Sequence, residues 1–365
     1  MSTIAVSIIV PLFNTEQYIE RCLNSLIKQT LMNIEIIVIN DGSTDASMDI
    51  VNRYLLKHSQ IHIIDKKCEG AGLARNIGIE IARGDFIGFV DSDDWVQPEM
   101  FERLYDSAME TNSDIAVCAY RRFYNESKNE LPMHANDVEI WQECLEKYGD
   151  KPFALNEYPR FLMSINYAWR KIYRKVLFDE NGIRFAGTSM SNDVPVHWKT
   201  LMFAKSISLV DEALYNYRLG RGEQLIRIKD NRLFDVFDIY REMDDFFRLE
   251  QEYSAYAPYF LRRKMYDFDW IMSKISKELR KEFFSRMQKM IHGTDKDVLR
   301  AYHTIYKDNR LKEYRLAHYL HRTYIIFPIV SVLSNIAYVL RNQGLSSLIK
   351  MLIRKVQRKY RVKSV

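Results

Sequence analysis

Three aspartates, Asp91, Asp93 and Asp94, stand within four residues of one another, directly after an apolar run that ends at Val90. Carboxylates held this close repel one another unless a cation neutralises them. Their hard oxygen atoms suit Mg²⁺ or Mn²⁺, ions that commonly bind substrate phosphates as well. The alternative is that these aspartates only form turns and helix caps, which Asp favours. Their position after a predicted buried strand favours a metal site.

The elements that must position these carboxylates follow from the pattern of apolar residues. The predicted strands are Val6 to Pro11, Glu35 to Ile39, Ile61 to Ile64 and Asp85 to Val90, and the predicted helices are 18–27, Ser47 to Leu56 and Gly72 to Ala82. This βαβ succession implies a parallel sheet covered by helices on both faces. Ligands of such sheets bind at the carboxyl ends of the strands. We therefore expect Asn14, Asp41 and Asp45 to gather with the three aspartates at one edge.

Four successive segments resemble the signatures of the family 2 inverting glycosyltransferases. They are Val6-Ser-Ile-Ile-Val-Pro-Leu-Phe-Asn14, Glu35-Ile-Ile-Val-Ile-Asn-Asp-Gly-Ser-Thr-Asp45, Gly70-Ala-Gly-Leu-Ala-Arg-Asn76 and Gly84-Asp-Phe-Ile-Gly-Phe-Val-Asp-Ser-Asp-Asp94. Because their order and spacing match over the first hundred residues, the resemblance is more specific than any single motif. It implies an α/β fold of the GT-A type, a nucleotide-sugar-binding domain with a mostly parallel central sheet. After Leu225, apolar and aromatic residues at helical spacing predict a helical C-terminal extension.

The resemblance implies roles on the nucleotide side of the site. Pro11, Phe13 and Asn14 would line the nucleotide pocket, and Asp41 would accept a hydrogen bond from the base, typically uracil. Arg75 would lie near the nucleotide or its phosphates. The alternative for Arg75 is an idle charge pairing on the helix surface.

The resemblance also divides the aspartates between sugar and metal. Asp91 would contact the ribose and the sugar, and Asp93 would bind the Mn²⁺ or Mg²⁺ ion. The donor would be a UDP-sugar.

A segment from Arg184 to Lys199 resembles the family region in which a Glu-Asp pair opens a helix and the aspartate acts as catalytic base. Asp193 occupies the aspartate position, whereas Asn192 replaces the usual glutamate. An inverting transfer needs such a carboxylate to take the proton of the acceptor hydroxyl. The alternative is that Asp193 only caps the predicted helix Val194 to Phe203. His197, one turn later, could touch metal or acceptor, although a lone histidine is more often simply packed.

A glycine-containing basic segment follows a tyrosine-rich stretch that is similar to the end of the catalytic domain in bacterial polysaccharide-assembling relatives. We expect Arg218 and Arg221 to lie on a loop that folds over the diphosphate, because the arginine fork suits phosphate oxygens. A closing loop of this kind excludes water and suppresses hydrolysis of the donor. The alternative is a solvated basic loop.

Length, composition and charge limit the class of protein. The 365 residues are 47% hydrophobic and 28% charged, which fits a globular chain of two domains or one elaborated domain and excludes a disordered chain. All 48 Asp and Glu lie at or before Glu313, whereas ten of the 53 Lys and Arg follow it. An acidic body argues against nucleic-acid binding, and the basic tail favours an anionic surface. Scattered cysteines and the lack of an apolar leader predict a cytosolic chain without a disulfide framework or a zinc cluster.

The remaining chain predicts three regions: a GT-A catalytic domain over 1–224, a helical extension over 225–313 and a basic membrane-associating tail over 314–365. The apolar segment Thr323 to Leu340 is interrupted by Pro, Ser and Asn, so it is marginal for spanning a bilayer. Beyond it, an apolar stripe lies opposite basic residues, as in helices that lie in an anionic membrane interface. The alternative is a tail helix docked on the acidic body.

These features together predict an inverting glycosyltransferase that moves a hexose or N-acetylhexosamine from a UDP-sugar to a lipid-linked saccharide acceptor at the cytoplasmic face of the plasma membrane. The resemblance implies capsule, O-antigen or exopolysaccharide synthesis, with other assembly enzymes as further partners. A Rossmann-type dehydrogenase is disfavoured, because Pro-Leu-Phe-Asn-Thr replaces the required G-x-G-x-x-G after the first strand. A catalytically inactive nucleotide-sugar-binding or scaffold protein is the remaining alternative.

Overall fold

The computed structural model describes residues 4–124, 130–220 and 229–306. The strands in these ranges are β1 (Val6–Leu12), β2 (Ile34–Asn40), β3 (Ile61–Asp65), β4 (Phe86–Phe89), β5 (Trp95–Val96), β6 (Ile115–Tyr124), β7 (Glu130–Leu131), β8 (Lys171–Arg174) and β9 (Ile207–Leu219). The α-helices are α1 (Ile19–Ile27), α2 (Ser47–Leu55), α3 (Ala71–Ile81), α4 (Met100–Glu110), α5 (Ala135–Tyr148), α6 (Val176–Asn181), α7 (Val194–Phe203), α8 (Asp235–Leu249), α9 (Ala257–Lys274), α10 (Arg280–His292) and α11 (Lys296–Tyr306).

The strands form one sheet in the order β3-β2-β1-β4-β8-β6-β9-β5, with β7 paired to β6. The first four are parallel to one another, as the βαβ pattern predicts. β8 is antiparallel to both β4 and β6, and β9 is parallel to β6. The structure therefore confirms a mostly parallel α/β sheet and adds an antiparallel strand at its centre.

The parallel half of the sheet is buried on both faces. Every residue of β1 and β2 is buried, which explains why these strands are continuous apolar runs rather than alternating ones. Helix α3 packs so closely on β1 that a Cβ at Gly78 would lie 2.5 Å from Cγ2 of Ile9. Glycine at position 78 is therefore what permits the close contact that places α3 beside the carboxyl ends of the strands.

The strand registers bring the predicted polar residues to one edge. Leu12 of β1 pairs with Asn40 of β2, and Ile9 pairs with Phe89 of β4, so the loops after these three parallel strands are neighbours. Oδ1 of Asn14 accepts a hydrogen bond from the backbone nitrogen of Thr44 at 2.8 Å, which joins the loops after β1 and β2. The predicted gathering of these loops at the carboxyl edge is confirmed.

The described residues divide into two compact units, one comprising 4–124, 130–220 and 232–254 and the other 229–231 and 255–306. The predicted helical segments after residue 225 are present as α8 in the first unit and as α9 and α11 in the second. Inside the second unit, Phe268 of α9 packs edge-to-face on Phe283 of α10, with 5.9 Å between ring centroids. The predicted division at residues 224 and 313 stays a prediction.

Within the described ranges, no helix combines the length and apolar character required to cross a bilayer. The predicted apolar segment Thr323 to Leu340 and the basic stripe that follows it lie outside the described residues. Their association with a membrane stays a prediction.

Candidate active site

The loop after β4 brings three carboxylates together. One oxygen each of Asp91, Asp93 and Asp94 lies within 4.8 Å of the other two. The backbone sets this spacing, because the nitrogen of Asp94 donates to the carbonyl of Asp91 at 3.0 Å and closes a tight turn. Hard carboxylate oxygens are the donors that Mg²⁺ and Mn²⁺ prefer, and such an ion would offset the repulsion among the three charges. The cluster therefore fits the divalent ion that the sequence predicts.

Asp94 links the loop after β4 to β9. Its Oδ2 accepts a hydrogen bond from the hydroxyl of Tyr215 at 2.8 Å, and its Oδ1 accepts one from the backbone nitrogen of Arg218 at 2.7 Å. The Tyr215 hydroxyl also accepts a hydrogen bond from the backbone nitrogen of Asp91 at 3.1 Å. Burial, followed by the charges of Asp93 and Asp91, raises the pKa of Asp94 well above its usual range. Both carboxylate oxygens of Asp94 thus accept hydrogen bonds from β9, and metal binding by Asp93 stays a prediction.

Arg218 lies within β9 and not on the closing loop that the sequence predicts. Its side chain is 1% exposed, and its Nε donates a 2.8 Å hydrogen bond to the carbonyl of Asp93. The guanidinium also stacks over Tyr18 and Trp95, at 4.7 and 5.0 Å from the ring centroids. The loop prediction for Arg218 is wrong, because strand pairing and aromatic neighbours bury the side chain. Arg221 lies outside the described residues.

Arg75 of α3 connects the aspartate loop to the segment before α7. Its Nη2 donates to Oδ1 of Asp91 at 2.6 Å, and its Nη1 donates to Oδ1 of Asn192 at 3.4 Å. The two segments meet because α3 has a glycine at position 72, where a Cβ would lie 2.3 Å from the carbonyl oxygen of Ala186. Asn192 supplies a neutral acceptor to Arg75 and adds no further negative charge. The surface-pairing alternative for Arg75 is not what the structure shows, since the contacts reach across the site.

Asp193 stands at the N-cap of α7, the helix predicted with the same bounds. Its carbonyl accepts the backbone N–H of His197 at 2.9 Å, but its carboxylate forms no capping hydrogen bond. The alternative that the side chain of Asp193 serves as the cap is therefore wrong for this structure. Burial, followed by the charge of Asp193, raises the pKa of Tyr173. The negative charge of Asp193 is therefore near enough to the buried Tyr173 of β8 to raise its pKa.

On the nucleotide side, the buried Asp41 organises the loop between β3 and α3. Its Oδ1 accepts hydrogen bonds from Nζ of Lys66 at 2.5 Å and from the backbone nitrogen of Glu69 at 2.9 Å, and its Oδ2 accepts one from Gly70 at 2.8 Å. These bonds hold the chain that leads into Arg75. A hydrogen bond from a nucleobase to Asp41 stays a prediction.

The other residues predicted for the nucleotide pocket follow one another at the end of β1. Pro11 is buried within the strand, opposite Ile39. Phe13 is 46% exposed, and Asn14 adopts a positive φ of 47° as the chain turns toward Thr44. The structure places them at the carboxyl edge, and their contact with a nucleotide stays a prediction.

Sequence reasoning misses the residues that support the site from the antiparallel half of the sheet. Trp169 stacks on Tyr215, with 3.9 Å between ring centroids, and so holds the tyrosine that supports the aspartate loop. Lys171 at the start of β8 lies beside His197 of α7. The sequence signal that could have indicated this buried group is a lysine between the aromatic residues Trp169 and Tyr173, since charged residues are seldom fully buried.

The fold and the carboxylate cluster agree with a glycosyltransferase of the GT-A type, and comparison with known proteins gives the family. The model of Glycosyl transferase family 2 matches residues 7–182. Glycosyltransferase GlyG of Streptococcus pneumoniae is 30% identical over 227 residues, which cover 60% of this chain and 71% of that protein. The uncharacterized glycosyltransferase EpsJ of Bacillus subtilis is 37% identical over 216 residues, which cover 58% of this chain. This chain belongs to glycosyl transferase family 2.

A solved structure supports the fold independently of close sequence similarity. S. aureus TarS 1–349, crystallised in complex with UDP-GlcNAc, matches with a TM-score of 0.69 over 86% of this chain and 87% of that chain, at 22% identity. This likeness shows that the α/β fold is the GT-A fold. The chain matches only 60% of the length of EpsJ.

Proposed function

We propose that this chain is a metal-dependent inverting glycosyltransferase that transfers a hexose or N-acetylhexosamine from a UDP-sugar to a lipid-linked saccharide. The observation that carries the proposal is the pair of contacts made by Arg75. One reaches Asp91 in the carboxylate loop and the other reaches Asn192, the neighbour of Asp193. A donor-side carboxylate cluster and a candidate base therefore belong to one connected site.

On the donor side, Arg75 would meet the phosphates of the nucleotide. Its Nε is buried and has no hydrogen-bond partner within the described part of the chain, so one donor remains beside the two committed to Asp91 and Asn192. Asp93 would hold the Mn²⁺ or Mg²⁺ ion, with Asp91 on the ribose and sugar side. When bound, the ion supplies positive charge to the diphosphate leaving group.

On the acceptor side, Asp193 acts as general base. As the acceptor oxygen attacks the anomeric carbon, its proton passes to the Asp193 carboxylate, and the bond from that carbon to the UDP oxygen breaks with inversion. The position of Asp193 supports this role, because it directly precedes α7 and follows Asn192, which contacts Arg75. Asn192 stays neutral, which leaves Asp193 as the basic member of the pair.

The donor class is supported by the structural neighbour and by the sequence. TarS was crystallised with UDP-GlcNAc, and the loops after β1, β2 and β4 carry the residues that the resemblance assigns to uracil, ribose and metal. The acceptor, the capsule, O-antigen or exopolysaccharide context and the partner assembly enzymes rest on the resemblance alone. The basic residues after Glu313 support attachment to the anionic cytoplasmic face of the plasma membrane.

The test is a screen of UDP-glucose, UDP-galactose, UDP-GlcNAc and UDP-GalNAc for Mn²⁺-dependent release of UDP by the purified full-length chain. We expect slow release from one donor, abolished by EDTA and accelerated by a lipid-linked saccharide. Protein that binds UDP but turns over none of the donors, with or without acceptor, would support the inactive scaffold and overturn the proposal.

A further inference from the structure

Four aromatic side chains form a continuous layer that begins at the carboxylate loop. The hydroxyl of Tyr215 donates to Asp94 at 2.8 Å, and Trp169 stacks on Tyr215 with 3.9 Å between ring centroids. Tyr167 in turn stacks on Trp169 at 4.4 Å. The ring of Tyr217 lies 5.4 Å from the rings of both Tyr167 and Trp169. We call these four rings the aromatic layer.

The aromatic layer is buried at one end and accessible at the other. Trp169 and Tyr215 are 4% and 0% exposed, whereas Tyr167 and Tyr217 are partly exposed. Core packing accounts for the buried rings, because aromatic side chains contribute strongly to the energetics of protein interiors. A partly exposed tyrosine combines an apolar ring with a hydroxyl that can donate and accept hydrogen bonds. Tyr167 and Tyr217 therefore offer both kinds of surface to a ligand.

Tyr167 is held in position by a histidine and by another tyrosine. Its hydroxyl lies 3.4 Å from Nε2 of His134, whose Nδ1 lies 3.0 Å from Nη1 of Arg122. Because a guanidinium only donates, Nδ1 accepts, and Nε2 carries the hydrogen that is donated to Tyr167. The ring of Tyr167 also packs edge-to-face on Tyr120, with 5.8 Å between centroids. A ring fixed in this way loses little conformational entropy when a ligand binds.

Strand order separates the aromatic layer from the predicted nucleotide residues. Asn14 and Asp41 follow β1 and β2 on one side of β4, whereas β8, β6 and β9 lie on the other side. Because β8 is antiparallel to β4, Tyr167 before β8 lies at the edge where β4 ends. β9 is parallel to β6 and reaches the same edge with Tyr217. A ligand on the aromatic layer would therefore approach the carboxylate loop from the side opposite the nucleotide.

The candidate base precedes a helix that contacts the segment leading to Tyr167. Nε2 of His197 in α7 lies 3.3 Å from the carbonyl oxygen of Leu162, a residue of the turn before Tyr167. The backbone nitrogen of His197 donates to the carbonyl of Asp193 at 2.9 Å. The segment 162–169 therefore joins the aromatic layer to the helix that follows Asp193.

The chemistry of the aromatic layer fits a neutral saccharide. The C–H face of a sugar ring is apolar and packs on aromatic rings, while its hydroxyl groups form hydrogen bonds at their edges. Burial is the first cause that raises the pKa of both Tyr167 and Tyr217, so both phenols are neutral and can donate. Burial, followed by the charge of Arg122, lowers the pKa of His134, so the imidazole is neutral as well. These rings offer no counter-ion to a phosphate.

We propose that Tyr167 and Tyr217 form the stacking surface for a sugar ring of the saccharide acceptor, with Trp169 as its buried support. The inference rests on the proposed function, because the saccharide bound there is the acceptor of that reaction. The two tyrosines contact the acceptor and take no part in proton transfer. They should therefore determine the affinity for the acceptor and not the affinity for the UDP-sugar.

The first test measures transfer from the UDP-sugar that turns over in the screen to the methyl β-glycosides of glucose, galactose, GlcNAc and GalNAc. These probes carry no charge and no aromatic group of their own. Tyr217→Leu removes the ring and should raise the KM for the glycoside roughly tenfold, while the KM for the UDP-sugar changes by less than about twofold. Tyr217→Phe keeps the ring and should raise the glycoside KM less.

Tyr148→Leu is the matched control. Tyr148 is a partly exposed tyrosine that stacks on Phe153, with 4.9 Å between ring centroids. Because Phe153 pairs with Ile207 at the start of β9, this stack lies at the opposite edge of the sheet. The variant removes a comparable ring and should keep both KM values of the wild type.

A second test needs neither turnover nor a destabilising variant. In protein labelled with 3-fluorotyrosine, the ¹⁹F resonances of Tyr167 and Tyr217 are assigned with the Tyr→Phe variant at each position. Both resonances should shift when a methyl β-glycoside is added in the presence of UDP and Mn²⁺. The resonance of Tyr148, assigned in the same way, should not shift. This measurement decides the question if none of the four glycosides accepts a sugar.

The outcomes separate the two proposals. Failure of the wild-type protein to turn over any UDP-sugar overturns the proposed function and, with it, the role of the bound saccharide as acceptor. Turnover by wild-type protein with a wild-type glycoside KM in Tyr217→Leu overturns the stacking surface alone. Turnover without a ¹⁹F shift of Tyr167 and Tyr217 for any glycoside does the same. An equal rise of both KM values in Tyr217→Leu also overturns it, because it indicates a purely structural ring.

Discussion

Arg75 and Asp91 form an ion pair with 2.6 Å between Nη2 and Oδ1, and the same guanidinium reaches Asn192, 117 positions later in the chain. The side chains are 12% and 28% exposed, so water screens the pair only partly. Arg75 therefore neutralises one member of the carboxylate cluster and connects the loop after β4 to the segment before α7.

Arg75→Met should make the stability of the protein depend on metal. Without the guanidinium, Asp91 repels Asp93 and Asp94 uncompensated, and we expect a loss of about 1–3 kcal/mol in the free energy of unfolding in EDTA. A divalent ion bound by the native state should restore part of this loss. Thermal unfolding with EDTA and with Mn²⁺ measures both quantities.

Arg174→Met provides the control for that experiment. Arg174 pairs with Asp114 at 3.3 Å, away from the carboxylate loop, so its loss should cost the same with and without metal. If Arg75→Met also behaved identically in EDTA and Mn²⁺, no metal would be bound at the cluster beside it.

Asp93→Asn should abolish Mn²⁺-dependent UDP release while leaving the fold intact, because it removes an anionic ligand and not an apolar core contact. The measurement is UDP release as a function of Mn²⁺ concentration. Asp85→Asn is the matched control, since Asp85 precedes β4 at the opposite edge of the sheet and should behave as wild type. Wild-type activity of Asp93→Asn at low Mn²⁺ would contradict its role as ligand.

Asp193→Asn should lower the rate of transfer by roughly 10²-fold or more, because the amide keeps the size of the side chain but not its basicity. Donor affinity, measured by titration with UDP, should hardly change. Equal losses in donor affinity and transfer would place Asp193 in donor binding or folding and not in proton transfer.

Lys171 should make stability rise with pH in the neutral to alkaline range. Its pKa is about 7 in the folded state and higher when exposed in the unfolded chain, so above pH 7 the unfolded state binds more protons. The resulting slope is at most about 1.4 kcal/mol per pH unit, and it should be absent from Lys171→Met. Urea unfolding at pH 7, 8 and 9 checks this, and parallel curves for the two proteins would show that Lys171 keeps an ordinary pKa.

Deleting residues 343–365 should weaken binding to anionic liposomes and spare transfer to a soluble acceptor analogue. Attraction of roughly 1 kcal/mol per basic residue near the surface is expected, and salt should screen it. A second deletion starting at Thr323 separates electrostatic from hydrophobic attachment. Sedimentation with vesicles at low and high salt is the measurement, and full-length protein that stays in the supernatant at low salt would refute membrane association.

The sequence by itself determines the parallel half of the sheet and the loops that bear the carboxylates. Strands β1 to β4 are apolar runs separated by amphipathic helices, and this local pattern leaves few topologies. The helix Val194–Phe203 is likewise predicted with its observed bounds. Asp91, Asp93 and Asp193 can be picked out from the sequence because each lies in a motif that directly follows a predicted strand or directly precedes a predicted helix.

Only the tertiary structure decides what each polar side chain contacts. Arg218 belongs to β9 because long-range pairing with β6, invisible in local spacing, extends the strand through the tyrosine-rich stretch. Asp94 is tied to β9 because Tyr215, 121 positions away, donates a hydrogen bond to its carboxylate. Lys171 is buried because β8 inserts antiparallel between β4 and β6. Local sequence specifies periodicity, whereas burial and charge pairing depend on which distant segments the sheet brings together.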